Sequence, residues 1–176
     1  MKYFTLIILL GGVLACSFIA MNKDRIITYD QKNNKVIKGL ISFEELQRDS
    51  AFAWFPKEYS LYHPKGLSIS QLKASAREDQ IVIFAGTWCG DTKEQLPRFY
   101  HVLQDANFPM HHVIIHGVDH KKHAIGREDK KYKIERIPTF IILRNGKEIG
   151  RIVESPVKSL EEDWVDFDEK FERNQY

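Results

Sequence analysis

The sequence predicts an α/β domain built on a mixed β-sheet flanked by helices, and three features predict it. Ile81-Val82-Ile83-Phe84-Ala85 is a continuous apolar run, the mark of a central strand covered on both faces. Asn145-Gly146, set between residues 139–143 and 148–153, is the signature of a tight hairpin turn between antiparallel strands. Leu96, Phe99, Tyr100 and Leu103, and later Leu160, Trp164, Phe167 and Phe171, recur at the spacing of one helical face. From residue 81 onward the order is strand, helix, strand, helix, hairpin, helix, which describes a layered mixed sheet.

The elements follow in chain order. Residues 1–21 are almost wholly apolar after Met1-Lys2, and Asn22-Lys23-Asp24-Arg25 restores polarity. This is a targeting segment, excluded from the fold. It has three possible fates: cleavage after a small residue, retention as a membrane anchor, or lipid attachment at Cys16. Val13-Leu14-Ala15-Cys16 resembles the lipobox of bacterial lipoproteins. The apolar length is near the roughly 20 residues that cross a bilayer. All three fates place the rest of the chain outside the cytoplasm, membrane-anchored at the periplasmic face or cell envelope, or secreted if the segment is simply cleaved.

Residues 22–66 form an N-terminal extension. Two short strands, 26–29 and 35–40, are expected around a polar turn, and Ser42-Phe43-Glu44-Glu45 has the form of a capping box opening a short helix. Phe52, Trp54, Phe55, Tyr59 and Tyr62 show no clean period and are expected in a loop with one irregular turn. The main domain spans 67–176. Ser68 opens a helix running to about Arg77, and the strand at 81–85 follows. A helix opening near Cys89 is expected to bend at Pro97. Val113-Ile114-Ile115 is the next strand, 119–136 is a loop with a short helix, and Ser159 starts the closing helix.

At 176 residues, with 43% hydrophobic and 28% charged residues, the chain suits one compact domain with appendages. A formal charge of +2 gives no reason to expect a nucleic-acid partner. Cys16 and Cys89 are its two cysteines, so the folded domain carries one thiol and no internal disulfide. His111, His112, His116, His120 and His123 invite a metal site, but on a strand His112 and His116 lie about 13 Å apart, too far for one ion. No metal and no cofactor is expected. The Lys- and Arg-rich segment 120–136 leaves the sheet at the same end as Cys89; it is either a solvated loop or a surface that steers an acidic partner.

Residues 81–97, Ile137-Pro138-Thr139 and Arg144-Asn145-Gly146-Lys147 together resemble thioredoxin, in order and spacing, over roughly the last two thirds of the chain. The resemblance implies the thioredoxin-like fold and thiol–disulfide exchange. Cys89 follows a buried strand and opens a helix, where unpaired N–H groups favour a thiolate, the nucleophilic form. Trp88 is expected to wall the site and Gly90 to leave room for an incoming chain. The resemblance also implies a cis bond at Pro138 beside the cysteine, with the backbone at Ile137 pairing with substrate.

The chain departs from the family in two places. Thr92 stands where a dithiol thioredoxin has its second cysteine, and a hydroxyl cannot resolve a mixed disulfide. Thr92 either donates to the Cys89 thiolate or merely opens the helix. Ile83 stands where the family buries an Asp, and Ile115 where its Lys partner lies. The expected function is therefore extracytoplasmic exchange through one cysteine, forming mixed disulfides with a disulfide-containing or oxidised protein substrate, as an isomerase or reductase, with an external thiol for release. The alternative is a peptide- or client-binding module of the same fold without turnover. A peroxidase reading is disfavoured, because such enzymes carry a Thr three residues before the cysteine, where Gly86 stands.

Overall fold

The computed structural model describes residues 25–175. The targeting segment and Cys16 lie outside them. Among the described residues no helix is long and apolar enough to cross a membrane.

The chain opens with a hairpin of β1 (Ile26–Tyr29) and β2 (Lys35–Ile41), paired antiparallel. The Asp30 carboxylate shapes its turn by accepting from the backbone N–H groups of Lys32 and Asn34 and from the Asn34 amide. Helix α1 (Phe43–Arg48) is capped by Ser42, whose hydroxyl accepts from Glu45 N at 3.1 Å. The capping box is only half used, because the Glu45 carboxylate pairs with Arg25.

The expected loop at 52–62 is instead a short 3-10 turn (Ser50–Phe52) followed by helix α2 (Trp54–Leu61). Pro56 falls in the first turn of α2, where its missing N–H breaks no helical bond. Phe55, Tyr59 and Tyr62 in fact recur at one helical face, with Phe55 and Tyr59 both packed on Tyr100 and Tyr59 stacked on His101. The period is obscured because Phe52 and Trp54 precede it in a 3-10 turn and at the helix start, and the helix is only eight residues long. Helix α3 (Gly66–Ser75) starts two residues before the expected Ser68, which is buried within it.

Strands β3 (Gln80–Ala85), β4 (Val113–Gly117), β5 (Thr139–Arg144) and β6 (Lys147–Val153) complete a six-stranded sheet ordered β1-β2-β4-β3-β5-β6. β3 runs parallel to β4 and antiparallel to β5. The β5–β6 turn has positive φ at Asn145 (52°) and Gly146 (73°), the twist that suits a two-residue hairpin.

The mixed sheet flanked by helices is present, with unequal flanks. Ile81, Ile83 and Ala85 face a large core filled from α1, α2, α3, α4 (Gly90–Asp105) and α6 (Leu160–Arg173). Val82 and Phe84 face a smaller cluster built on the connection from Val118 to Ile137, which carries α5 (Glu128–Lys131). β2 pairs antiparallel with β4, and Ile37, Leu46, Phe52 and Phe55 sit in the same core as Ile83 and Trp164. One core thus runs across residues 66 and 67.

A buried ionic cluster ties the far edge together. Arg144 donates from Nε to Asp79 Oδ1 at 2.7 Å and from Nη2 to Asp79 Oδ2 at 3.1 Å, and it also pairs with Asp168 and Glu172. Trp164 Nε1 donates to Asp79 as well. Burial works against the Arg144 charge, yet the hydrogen bonds and charge of Asp79, with Asp168, hold its pKa above the ordinary guanidinium value.

Candidate active site

Cys89 stands at the junction where β3 ends and α4 begins. It is the N-cap of α4, its backbone extended at φ −80°, ψ 134°, and its carbonyl accepts the first helical bond from Lys93 N. Its own N–H donates to Gly86 O at 2.9 Å, which closes the tight turn Gly86-Thr87-Trp88-Cys89. The thiol is free and half-buried. Helix α4 continues through Pro97 to Asp105.

The second side of the site comes from the loop before β5. The Ile137–Pro138 bond is cis, as the resemblance implied, and the Ile137 carbonyl lies 3.7 Å from Cys89 Sγ. Both residues are buried, so it is their backbone that borders the thiol. Pro138 O is taken by Glu154 N, and Thr139 Oγ1 donates to Arg136 O, which fixes this loop against β6 and the preceding chain.

Trp88, expected to wall the site, is half-buried beside Cys89. Its indole N–H donates to Val118 O at 3.2 Å, and its ring stacks on His120 with centroids 4.3 Å apart. Beneath it, a Cβ at Gly86 would come within 2.7 Å of Ile137 Cδ1 and 2.9 Å of the Trp88 ring. With Ile137 and Trp88 placed as they are, the turn has no space for a Thr side chain at position 86. At Gly90 the reverse holds: nothing lies within 4 Å of the position a Cβ would take. The fold does not demand glycine at 90, and the surface there is open to an approaching chain.

Thr92 is fully buried, and the bond its hydroxyl makes is from Gly86 N at 3.3 Å, not to Sγ. It ties the first turn of α4 to the end of β3 and so holds Cys89 in place. Ile83 and Ile115 are direct partners across the β3–β4 ladder and both are buried. Two apolar groups meeting there leave no uncompensated charge in the core.

Thr87 belongs to no motif that marks its role in the sequence. Its buried hydroxyl donates to Lys35 O at 2.7 Å and accepts from Ile37 N at 3.3 Å, fastening the active-site turn to β2. Lys93 reinforces this by donating to Asn34 Oδ1 at 3.0 Å. Between the β1–β2 hairpin and the Trp88–His120 stack lies a cleft of about 560 Å³ lined by Tyr29, Asp30, Lys32 and Val36 among others. The Asn34 side chain and backbone N–H donate to Asp30 and hold its carboxyl below the ordinary carboxylate range. The Thr87 and Lys93 contacts span 50 or more residues of sequence, beyond the reach of any local motif.

The histidines disperse rather than converge. His111 and His112 pack edge to face, His116 stacks on Phe84, and His120 stacks on Trp88. Among the described residues no group of three metal-ligating side chains gathers.

The family model described as Thioredoxin matches residues 69–165. A thioredoxin H-type 1 of Nicotiana tabacum is 27% identical over 106 residues, covering 60% of this chain and 74% of that protein. A thioredoxin H-type of Populus jackii is 27% identical over 85 residues, 47% of this chain and 57% of that protein. Among solved structures, the reduced thioredoxin pre-protein of Schistosoma mansoni is similar at 29% identity and a TM-score of 0.38, covering 61% of this chain and 91% of that one.

Proposed function

The chain belongs to the thioredoxin family, and from that premise we propose that Cys89 carries out thiol–disulfide exchange alone, by forming mixed disulfides with protein substrates. Kinship with thioredoxins supports a thiol–disulfide redox role in general terms. The observation that carries the finer reading is the placing of Cys89: a free, half-buried thiol at a helix start, its Sγ facing the Ile137 carbonyl beside Pro138, with open space at Gly90.

The Cys89 thiolate attacks one sulfur of a substrate disulfide. The Cys89–substrate S–S bond forms, the substrate's own S–S bond breaks, and the other substrate sulfur leaves as a thiolate that takes a proton from water. Thr92 holds no sulfur, so release needs a second thiolate from outside the chain. When it is the substrate's freed thiol, electrons are conserved and the result is isomerisation. When it is an external thiol that attacks the Cys89 sulfur, the substrate leaves as a dithiol and Cys89 is left in a mixed disulfide with that thiol. A second external thiol then displaces Cys89, so two external thiols are oxidised to one disulfide and the substrate is reduced. We place this activity outside the cytoplasm, tethered through residues 1–21, either by lipid on Cys16 or by retention in the membrane; Val13-Leu14-Ala15-Cys16 supports the lipid.

The test uses the full chain in a Cys16→Ser background, incubated with a scrambled disulfide protein and acid-quenched. Intact mass spectrometry is expected to show a one-to-one adduct that Cys89→Ser abolishes. No adduct at neutral pH, together with Cys89 inert to alkylation, overturns the reading. The apolar Ile83–Ile115 pair and Thr92 favour one other reading, a client-binding module without turnover. On that reading Cys89→Ser keeps full affinity for the client and no adduct forms with either protein.

A further inference from the structure

The charge of the protein is unevenly placed. Residues 120–136 hold seven Lys and Arg against three Asp and Glu, while the rest of the chain holds 19 against 21. Its positive excess therefore resides in one connection, between β4 and β5.

Within that connection Arg127 pairs with Asp129, Lys131 with Glu128 and Arg136 with Glu154. Lys121, Lys122, Lys130 and Lys133 have no carboxylate partner among the described residues, and all four border one open hollow of about 270 Å³ with Arg127 and His123. Asp129 and Glu135 also line it, Asp129 paired with Arg127, so the lining is still predominantly basic. The backbone spends conformational energy on this display. Lys122, Arg127 and Lys133 have φ of 62°, 60° and 54°, a region that glycine or asparagine enters at less cost. Strain of this kind persists where the surroundings impose it. Here the Asp119 carboxylate accepts from Lys121 N and His123 N, and the Asp129 carboxylate from Ala124 N and Arg127.

The hollow and the thiol belong to one packed unit. Ala124 and Ile137 share a cluster against which Tyr132, Ile134, Trp88 and Cys89 all pack, and Val118, which precedes the basic stretch, holds the Trp88 indole. We propose that this hollow docks an acidic segment of the protein substrate, seating one or two carboxylates next to the disulfide that Cys89 attacks. The proposal rests on the capture reading above and names the class of substrate that Cys89 takes. A concave site of side-chain size suits carboxylates on a peptide better than a flat anionic membrane, which would also meet the net negative remainder of the chain.

The test compares two disulfide-linked peptides, one flanked by three Glu and the other by three Gln, in their rates of adduct formation with the full Cys16→Ser chain. The Glu peptide is expected to react about tenfold faster at low ionic strength, with the ratio falling towards one in 0.5 M salt. The combined Lys121→Gln, Lys122→Gln, Lys130→Gln, Lys133→Gln variant should bring the ratio near one, and the four matching Lys→Arg changes should restore it. If both peptides form adducts at equal rates, the docking proposal is overturned while capture stands. If neither forms an adduct, capture fails, and a cysteine-free Glu peptide titrated into the Cys89→Ser chain decides the docking: lysine-dependent binding supports it and no binding overturns it. Lysine-dependent binding to phosphatidylglycerol vesicles without any peptide preference also overturns it, in favour of a membrane-facing surface.

Discussion

At Gly86 the side chains of Ile137 and Trp88 converge, and the missing Cβ is what lets them meet. Gly86→Ala forces at least one of them away. We expect a loss of about 1–3 kcal/mol in urea unfolding, the usual cost of overpacking. We also expect adduct formation at Cys89 to slow by about tenfold or more, because the wall of the site moves. A variant that keeps wild-type stability and capture would show that Trp88 and Ile137 tolerate displacement. The positions of Trp88, Cys89, Gly90 and Pro138 in the fold, at the strand-to-helix turn and just before β5, were legible because each lies in a recognisable motif. The role of Thr92 was half legible: its place in the helix start could be read, but its bond to Gly86 N depends on how β3 enters the turn. Thr87 was not legible, since a threonine in a Gly-Thr-Trp-Cys turn looks like any other until β2 is brought beside it.

At the scale of elements, the central strand and the Asn145-Gly146 hairpin were readable because each announces itself within a few residues. The α2 helix was not, because it is only eight residues long, carries Pro56, and adjoins a 3-10 turn whose Phe52, with Trp54, interrupts the spacing set by Phe55 and Tyr59. The Arg144 cluster joins elements far apart in sequence: the end of β5, the chain entering β3 at Asp79, and α6 through Asp168 and Glu172. Arg144→Met leaves Asp79 and Asp168 buried without their cation. The expected cost is about 3–5 kcal/mol by urea unfolding, the usual penalty for stranding one half of a buried ion pair. A loss below about 1 kcal/mol would mean that water reaches both carboxylates.

Across the whole molecule, the N-terminal extension and the main domain share one core and are expected to unfold together. Ile37, Leu46, Phe52 and Phe55 are essentially inaccessible to solvent, and they pack into the core that also holds Ile83, Leu96 and Trp164. A fragment of residues 67–176 strips those side chains from the core and takes β2 away from β4. It is expected to lose cooperative thermal unfolding and to bind a hydrophobic dye, whereas residues 22–176 unfold in a single transition. A fragment that melts as sharply as the longer chain would show that the extension merely decorates the fold. The joining of β2 to the active-site turn through Thr87 also sets a mechanical path. β1 leaves the sheet from its Ile26 end, so tension applied at the N-terminus peels the Ile26–Lys38 pair first and the Tyr29–Lys35 pair last. Ile37, which donates to Thr87, is loaded when the Ile27–Ile37 pair opens, and Lys35, whose carbonyl accepts from Thr87, only with the last pair. The β1–β2 ladder is thus expected to act as a fuse, spreading a pull on the leading segment over four residue pairs before it comes fully onto the turn that holds Cys89.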